Sequence, residues 1–534
     1  MGIFLNPGKK AFAEAVRSEI YVDKTGLIQY TNKVLGTTQK CICVSRPRRF
    51  GKSIAADMLA AYYGIGCDAN DLFQNYSIAK HADYKKHLNN YHVICVDMNS
   101  FLYRRDKTTG KAVTPLQAVG LFHTEIIREL KLQFPQSVLE ECSDLPAVLA
   151  QINEDSGEQF IIIIDEWDSL FREAKQEIEA QEAYMELLRG LFKNAASRKF
   201  LKLAYMTGIL PIKKYGTESA LNNFREFTMI HPGPLSAYVG FTEEEVADLC
   251  RRYTMDFEEA KNWYDGYSFQ KIAHIYNPNA VVNAMLDGEF QNYWSRTETY
   301  ESLKNYISMN FDGLKDVIIQ LLAGCRCMID IETFENDMVH FQSKDDVMTV
   351  LIHLGYLAYD SAKREVYIPN EEVRSAFVRA IKKCEWNYVI QAIEASDQLL
   401  QATWRKDEEA VAKAIDQVHL EHASILKNND ENSLSCVISL AYYHAVNEYR
   451  ILREMPAGKG YADLIFLPRK HSDKPAMIVE LKHNQSAGHA LRQIEEQQYA
   501  KALTMYQGEL LFVGINYDKK SKTHQCLIQS IQKN

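Results

Sequence analysis

Ser45-Arg46-Pro47-Arg48-Arg49-Phe50-Gly51-Lys52-Ser53 follows the apolar run Cys41–Val44 and precedes a helix-like stretch. Strand, loop, Gly-Lys-Ser and helix in that order aim backbone N–H groups and a helix N-terminus at an anion. Lys52 would reach the outer phosphates and the Ser53 hydroxyl would ligate magnesium. The usual loop carries a glycine five residues before the second one, and Arg46 stands there instead. The loop is therefore degenerate, and a chance Gly-Lys-Ser in a basic turn is the competing reading. On the phosphate reading, Arg46, Arg48, Arg49 and Lys52 surround the anion, and Pro47, Phe50 and Gly51 complete the nucleotide-binding loop.

Outward from the loop, short branched runs alternate with helix-like sequence to about residue 235. CICVSRP (41 to 47), HVICVDM (92 to 98), QFIIIIDEW (159 to 167) and LKLAYMTGI (201 to 209) read as strands, and segments such as 115 to 133 and 182 to 196 read as helices. Near-continuous apolar strands between helices predict a parallel sheet covered on both faces. The run Phe160–Ile164 ends in Asp165-Glu166, and an acidic pair at the carboxyl end of a buried strand is where metal and attacking water are handled. Asp165 would hold the metal through Ser53 and water, and Glu166 would orient or deprotonate water. Asp168 reads as a solvated strand end or local cap. Thr207 either senses the outermost phosphate or is a plain strand-end threonine.

Composition limits the remaining choices. A chain of 534 residues, 46% hydrophobic and 25% charged, predicts two to four domains of ordinary globular character. No apolar run approaches the roughly 18–20 residues that span a bilayer, and no secretory signal or lipid anchor is expected. Eleven scattered cysteines without a framework fit reduced thiols and a cytoplasmic protein. A net charge of -9 argues against a uniformly basic nucleic-acid coat and leaves a local basic groove open.

Four segments are expected: an α/β core over 1–235, a lid over 236–385, a helical connector over 386–430 and a small α/β domain over 431–534. Thr242 with Glu245 forms a capping box for a lid helix. A helix near 345 to 358, then YLAYD, a turn at 361 to 364, EVYIPN and a further helix suggest a winged-helix module. In the last segment GYADLIFL puts Asp463 on a strand, and AMIVELKH puts Glu480 and Lys482 on one face of the next. Asp463 and Glu480 would share a hard divalent cation, with Glu431 as a third carboxylate. Lys482 would position water or stabilise transition-state charge, and Gln493 lies on the following helix. The plain alternative is a pair of solvated strand ends bearing an ion pair.

YVDKT (21 to 25), SRPRRFGKS (45 to 53), IIIIDEWD (161 to 168), MTGI (206 to 209), GFTEEEV (240 to 246), WYDGYSF (263 to 269), YNP (276 to 278), NYW (292 to 294) and IPNEEVR (368 to 374) occur in this order. This series resembles the bacterial AAA-ATPase-like family that is often fused to a PD-(D/E)XK nuclease domain. The arginine at the first glycine position is part of that family's pattern. The resemblance implies an ATP-binding core with a helical and winged-helix lid. For Tyr21, Asp23 and Lys24, which match the family motif, a packed aromatic with a salt bridge is the expected role.

From about 425 to 520, Glu431-Asn432, Gly460 to Asp463, Glu480 to Lys482 and Gln493-Ile494 followed by Tyr499-Ala500 are similar to the PD-(D/E)XK domain that ends such proteins. Two positions depart from the pattern: Tyr461 stands where arginine is common, and Gln497 where a basic residue is. Both changes remove charge that would contact phosphate. Lys482, His483, Arg492, Lys501 and Lys519 to Lys522 form either a compensating basic rim or a solvated face.

The leading expectation is an α/β P-loop ATPase with a restriction-endonuclease-like C-terminal domain. It would bind ATP with Mg2+ or Mn2+ and couple nucleotide state to phosphodiester cleavage, with DNA or RNA as partner and no membrane. A nucleotide-dependent switch that binds nucleic acid or a partner without cutting is the second reading, and a helical adaptor with a vestigial loop the third. The oligomeric state stays open. ATPases of this type often need a neighbour's arginine, for which Arg225 and Arg252 are candidates in a homo-oligomer.

Overall fold

Apolar residues along both faces leave Cys41–Ser45 (β1) and Phe160–Asp165 (β3) buried at every position. That is the state of a strand inside a helix-covered parallel sheet. With His92–Asp97 (β2), Leu201–Gly208 (β4) and the short edge strand Arg225–Phe227 (β5) they form one sheet in the order β2-β3-β4-β1-β5. All four pairings are parallel. The four strands expected from sequence are present, and β5 is an addition that its three residues did not announce. β4 lies between β1 and β3, so the phosphate loop and the acidic pair leave the sheet from the same edge with one strand between them.

The computed structural model describes the chain apart from residues 1, 106–109, 138–143, 213, 216–217, 220, 270–271, 295–298, 336–337, 385, 422–437, 458–459, 470–471, 497–505, 507 and 533–534. Two compact units are present: Met1–Thr299 with Met328–Val373, and Tyr300–Cys327 with Arg374–Asn534.

In the first unit the helix Lys52–Tyr63 packs on β2, β3 and β4. The helices Pro115–Gln133, Leu145–Ser156 and Ile178–Phe192 share a core with Ile94, Ile162, Ile164 and Ala204 of the sheet. Beyond the sheet, the Thr242 hydroxyl accepts from Glu245 N, and the Glu245 carboxylate accepts from Thr242 N at 2.8 Å, the expected capping box. A small sheet joins Phe241–Thr242, Tyr267–Phe269 and Ile272–Tyr276. The helix Lys344–His353, the hairpin Ala358–Asp360 with Glu365–Tyr367, and the helix Glu371–Lys383 follow in the expected order.

Two buried charges hold this unit together. Arg46 is fully buried, its Nη1 donating to the carbonyls of Ser45 at 2.9 Å and Phe227 at 3.1 Å. Its guanidinium lies 4.9 Å above the Phe269 ring, and burial pushes its pKa down to about 10. Arg46 thus ties β1, β5 and the Tyr267–Phe269 strand. Glu372 is equally buried, and its Oε1 accepts from the N–H groups of Tyr293 and Trp294, both at 2.8 Å. Burial pushes its carboxyl up to about 7, against those two bonds and the Arg49 charge.

In the second unit a mixed sheet runs β6 (Tyr449–Ala457), β7 (Gly460–Pro468), β8 (Ala476–His483), β9 (Glu509–Asp518), β10 (Thr523–Gln532). Only β8 and β9 pair in parallel. The helix Ala487–Glu496, which connects them, packs back onto both, as a parallel crossover requires. The helices Asn387–Trp404 and Glu408–Glu421 pack together, and the second lies on β10.

Eight cysteines among the described residues are free thiols. Cys325 corrects the expectation of reduced thiols throughout, since it is disulfide-bonded. Among the described residues no helix is long and apolar enough to cross a membrane.

Restoring the usual glycine by Arg46→Gly is expected to destabilise the protein by roughly 2 kcal/mol or more. An unchanged or raised denaturation midpoint would contradict the tie. For Glu372, a folded pKa above the unfolded value means that the native state holds an extra proton between pH 4.5 and about 7. Stability therefore falls as pH rises through that window. Glu372→Gln should raise stability by on the order of 2 kcal/mol above pH 7 and by almost nothing below the unfolded pKa, read by thermal melts across pH.

Candidate nucleotide and metal sites

The helix Lys52–Tyr63 begins at Gly51, whose φ of 88° lies in the left-handed region that a side chain resists. Lys52 is buried, and its Nζ donates to the Pro47 carbonyl at 3.1 Å, closing the loop on itself. The same nitrogen lies 3.7 Å from Glu166 Oε1. Burial lowers the Lys52 pKa, and the carboxylates of Glu166, Asp165 and Asp168 oppose that shift. Ser53, exposed, shares a side-chain hydrogen bond with the buried Asp165. Burial raises the Asp165 carboxyl to about 7; Glu166 and Asp97 add to the rise, while Ser53 and Lys52 oppose it.

Directly after β3 the chain turns sharply at Glu166, a non-glycine residue at φ 49°. Glu166 Oε2 accepts from Arg172 Nη2, and Arg172 Nε donates to Asp168 Oδ2 at 3.0 Å. Asp168 Oδ2 also accepts from the backbone of Ile209 at 3.1 Å and Leu210 at 2.8 Å. Asp168 is therefore no solvated strand end: it is fully buried and ties the turn to the end of β4. Gly208 is required beside it, because a Cβ there would lie 2.4 Å from Asp168 Oδ1.

A cavity of about 690 Å³ opens over this edge. Arg48, Arg49, Phe50, Gly51, Lys52, Ser53, Glu166 and Arg172 are part of its wall. Ile20, Val22, Phe241 and Val282 contribute apolar wall elsewhere. A lining that is charged in part and apolar in part suits a ligand with phosphates and a flat base.

Three expected phosphate-site residues point elsewhere. Arg46 is the strut already described and does not line the cavity. Pro47 is buried against Gly355, where a Cβ would come within 2.7 Å of the proline ring. Thr207 is buried and donates its hydroxyl to the Val44 carbonyl at 3.0 Å, the plain strand-end role. Arg49, in the wall, donates to Asn279 Oδ1 at 3.0 Å and the Tyr293 carbonyl at 3.3 Å. Lys24 donates to both Glu245 oxygens, at 2.7 and 2.6 Å, and Tyr21 packs edge-on against Phe12 and Tyr76. The expected aromatic packing and salt bridge are both there.

Sequence reading passed over Asp97 and Arg172. Asp97 stands in register with Asp165 at the end of β2, and its strand-end position was the available signal. Arg172 gave only a spacing of four from Asp168.

The second site lies in the other unit. Leu464 pairs with Val479 across β7 and β8, so Asp463 stands one step further on, beside Glu480. Asp463 Oδ2 accepts from Leu481 N at 2.7 Å. Glu480 is buried; its Oε1 accepts from Lys482 Nζ at 3.0 Å, and its Oε2 has no hydrogen-bond partner. Burial first, then the Asp463 charge, raises the Glu480 carboxyl to about 7, with Lys482 opposing. An unsatisfied buried carboxylate oxygen beside a second carboxylate is the chemistry that a hard divalent cation relieves. Among the described residues no cluster of three metal-ligating side chains occurs. Glu431, Gln497 and Lys501 lie outside the described residues. Gln493 is half-buried on the helix over β8 and β9, and Arg492 and Lys519 to Lys522 are exposed.

Residues 8–217 match the family described as predicted AAA-ATPase, and residues 429–526 match the PD-(D/E)XK nuclease superfamily. A protein encoded in the vnfD 5' region of Azotobacter chroococcum mcd 1, itself uncharacterised, is 26% identical over 288 residues, 52% of this chain. The match spans about half, 51%, of that relative's length. Among solved structures, Cdc6p from Pyrobaculum aerophilum overlaps 69% of this chain and 98% of its own at 12% identity and a TM-score of 0.24. ORC2 from Aeropyrum pernix, solved as ADPNP and ADP complexes, overlaps 69% and 97% at 12% identity and a TM-score of 0.30. These structural overlaps are slight. With the parallel P-loop sheet and the mixed C-terminal sheet in place, residues 8–217 belong to the predicted AAA-ATPase family and residues 429–526 to the PD-(D/E)XK nuclease superfamily.

Proposed function

We propose that the chain binds and hydrolyses ATP in its first unit and uses nucleotide state to govern metal-dependent cleavage of nucleic acid by its C-terminal domain. The observation that carries the reading is the unsatisfied Glu480 Oε2 beside Asp463 and Lys482. A solvated strand-end ion pair would not bury a carboxylate that way.

In the first unit Lys52 would bind the outer phosphates, Ser53 and Asp165 would hold magnesium, and Glu166 would orient the attacking water. Arg48 and Arg49 supply further positive charge to the cavity wall. In the C-terminal domain Asp463 and Glu480 would hold Mg2+ or Mn2+, with Glu431 as a third ligand. The metal, when bound, would supply Lewis-acid activation of water and of the phosphodiester. Lys482 Nζ, 3.0 Å from Glu480 Oε1, would orient the nucleophile or neutralise developing charge, and Gln493 would position the same water or backbone. Arg49 supports the coupling, since it ties the phosphate loop to Asn279 and Tyr293, and Tyr293 N is bound by Glu372. Glu372 opens the helix Glu371–Lys383, through which the chain passes from the first unit to the second.

The absence of basic side chains at Tyr461 and Gln497 favours a second reading, a nucleotide-dependent switch that binds nucleic acid or a partner without cutting.

Lys52→Ala is expected to weaken ATP binding at least tenfold relative to the parent, measured by equilibrium titration. A parent that binds no nucleotide would end the ATPase reading. Asp463→Ala and Glu480→Ala should each abolish Mg2+- or Mn2+-dependent cleavage of plasmid and single-stranded DNA or RNA while leaving ATP binding intact. Cleavage that survives both changes would remove this site from the reaction, and a parent that binds ATP and cuts nothing would favour the switch.

A further inference from the structure

We propose that Arg172 is a second phosphate-recognising cation, supplied by the same chain, which rests on Glu166 and moves onto the terminal phosphate of a bound nucleoside triphosphate. The inference rests on the nucleotide-binding reading of the cavity. Arg172 lies in the cavity wall with Lys52, Ser53 and Glu166. Its side chain is only 5% exposed, so its charge acts with little solvent screening. Its three nitrogens are held unequally, and Nη1 donates to the exposed Glu173 Oε1 at 3.3 Å. Nε donates to Asp168, a residue fixed independently by two backbone N–H groups, and this end is a pivot. Nη2 donates to Glu166, whose other oxygen lies 3.7 Å from Lys52 Nζ.

Glu166 is thus engaged by a cation at each oxygen. A carboxylate so engaged is poorly placed to accept a hydrogen bond from water. The phosphate chain of a nucleoside triphosphate competes for both cations, because charge-assisted bonds to phosphate equal those to carboxylate. Movement of Nη2 about the Asp168 anchor would deliver the guanidinium to phosphate and free Glu166 in one motion. The two arginines suspected of reaching across lie in exposed contacts: Arg225 donates to Tyr30 Oη at 3.2 Å and lies over Phe227, and Arg252 pairs with Asp248 at 3.1 Å.

The test measures affinities of the full chain, with Mg2+, for the β,γ-imido analogue of ATP and for ADP. The parent should prefer the triphosphate analogue. Arg172→Gln should lose about tenfold in affinity for that analogue and leave ADP within about twofold, with Arg172→Lys retaining part of the preference. Because Arg172→Gln also removes the cation beside buried Asp168, a second arm uses Glu166→Gln. Removing the resting partner's charge should raise triphosphate affinity, and adding Arg172→Gln should cancel that gain. Equal losses for both nucleotides, a gain that survives in the double variant, or a parent that binds both nucleotides equally would each overturn the role of Arg172 while leaving nucleotide binding intact. A parent that binds neither would overturn the nucleotide reading as well.

Discussion

A buried ion cluster at the carboxyl edge of the first sheet organises everything around it. Lys52 and Arg172 face Asp165, Glu166 and Asp168, with the exposed Glu173 also on Arg172, so two cations meet four carboxylates, three of them largely closed to water. Such charges are costly to bury, and the cost is met only if each is paired or neutralised. Asp168 is met by Arg172 and two backbone N–H groups, and Glu166 by both cations. Asp165 has no cation of its own, and burial first, then the Glu166 charge, raises its carboxyl to about 7. The phosphate loop, the turn after β3 and the end of β4 are all fixed through this cluster.

The loop's departure from the glycine-rich pattern has a structural explanation on the same edge. A glycine at position 46 would leave the carbonyl of Phe227 and the face of Phe269 without the guanidinium that joins them. Pro47 fills the space left by Gly355, Phe50 meets Tyr267 edge-on, and Arg49 bonds to Asn279 and Tyr293. The loop is stiffened by side chains packed behind it, where the usual motif relies on backbone freedom.

The C-terminal domain repeats the electrostatic problem with different residues. Glu480 is buried next to Asp463, and mutual repulsion with burial raises it to about 7. Lys482 satisfies one oxygen and leaves the other open. Both sites therefore carry a carboxyl that is poorly ionised by itself and that a divalent cation would ionise fully.

Local pattern was enough for the elements and for residues whose role follows from chain neighbours. Buried strands announced themselves by continuous branched residues, the Thr242 capping box by a spacing of three, and the facing of Glu480 and Lys482 by the two-residue period of a strand. Lys52, Ser53, Asp165 and Glu166 were legible because a helix start and a strand end point their side chains predictably. Direction toward or away from the cavity was not legible for Arg46, Thr207 and Arg172. Arg46 turns away because Phe227 and Phe269, about two hundred residues on, offer a carbonyl and a ring. Thr207 turns to Val44 because β4 happens to lie beside β1. Arg172 enters the cavity because Asp168 is anchored to Ile209 and Leu210. Sequence by itself determined which elements form and which residue types stand at a helix start or a strand end, since that is a property of residue type and local period. Only the tertiary structure decided which of them face the cavity, since that depends on partners brought alongside by the strand order.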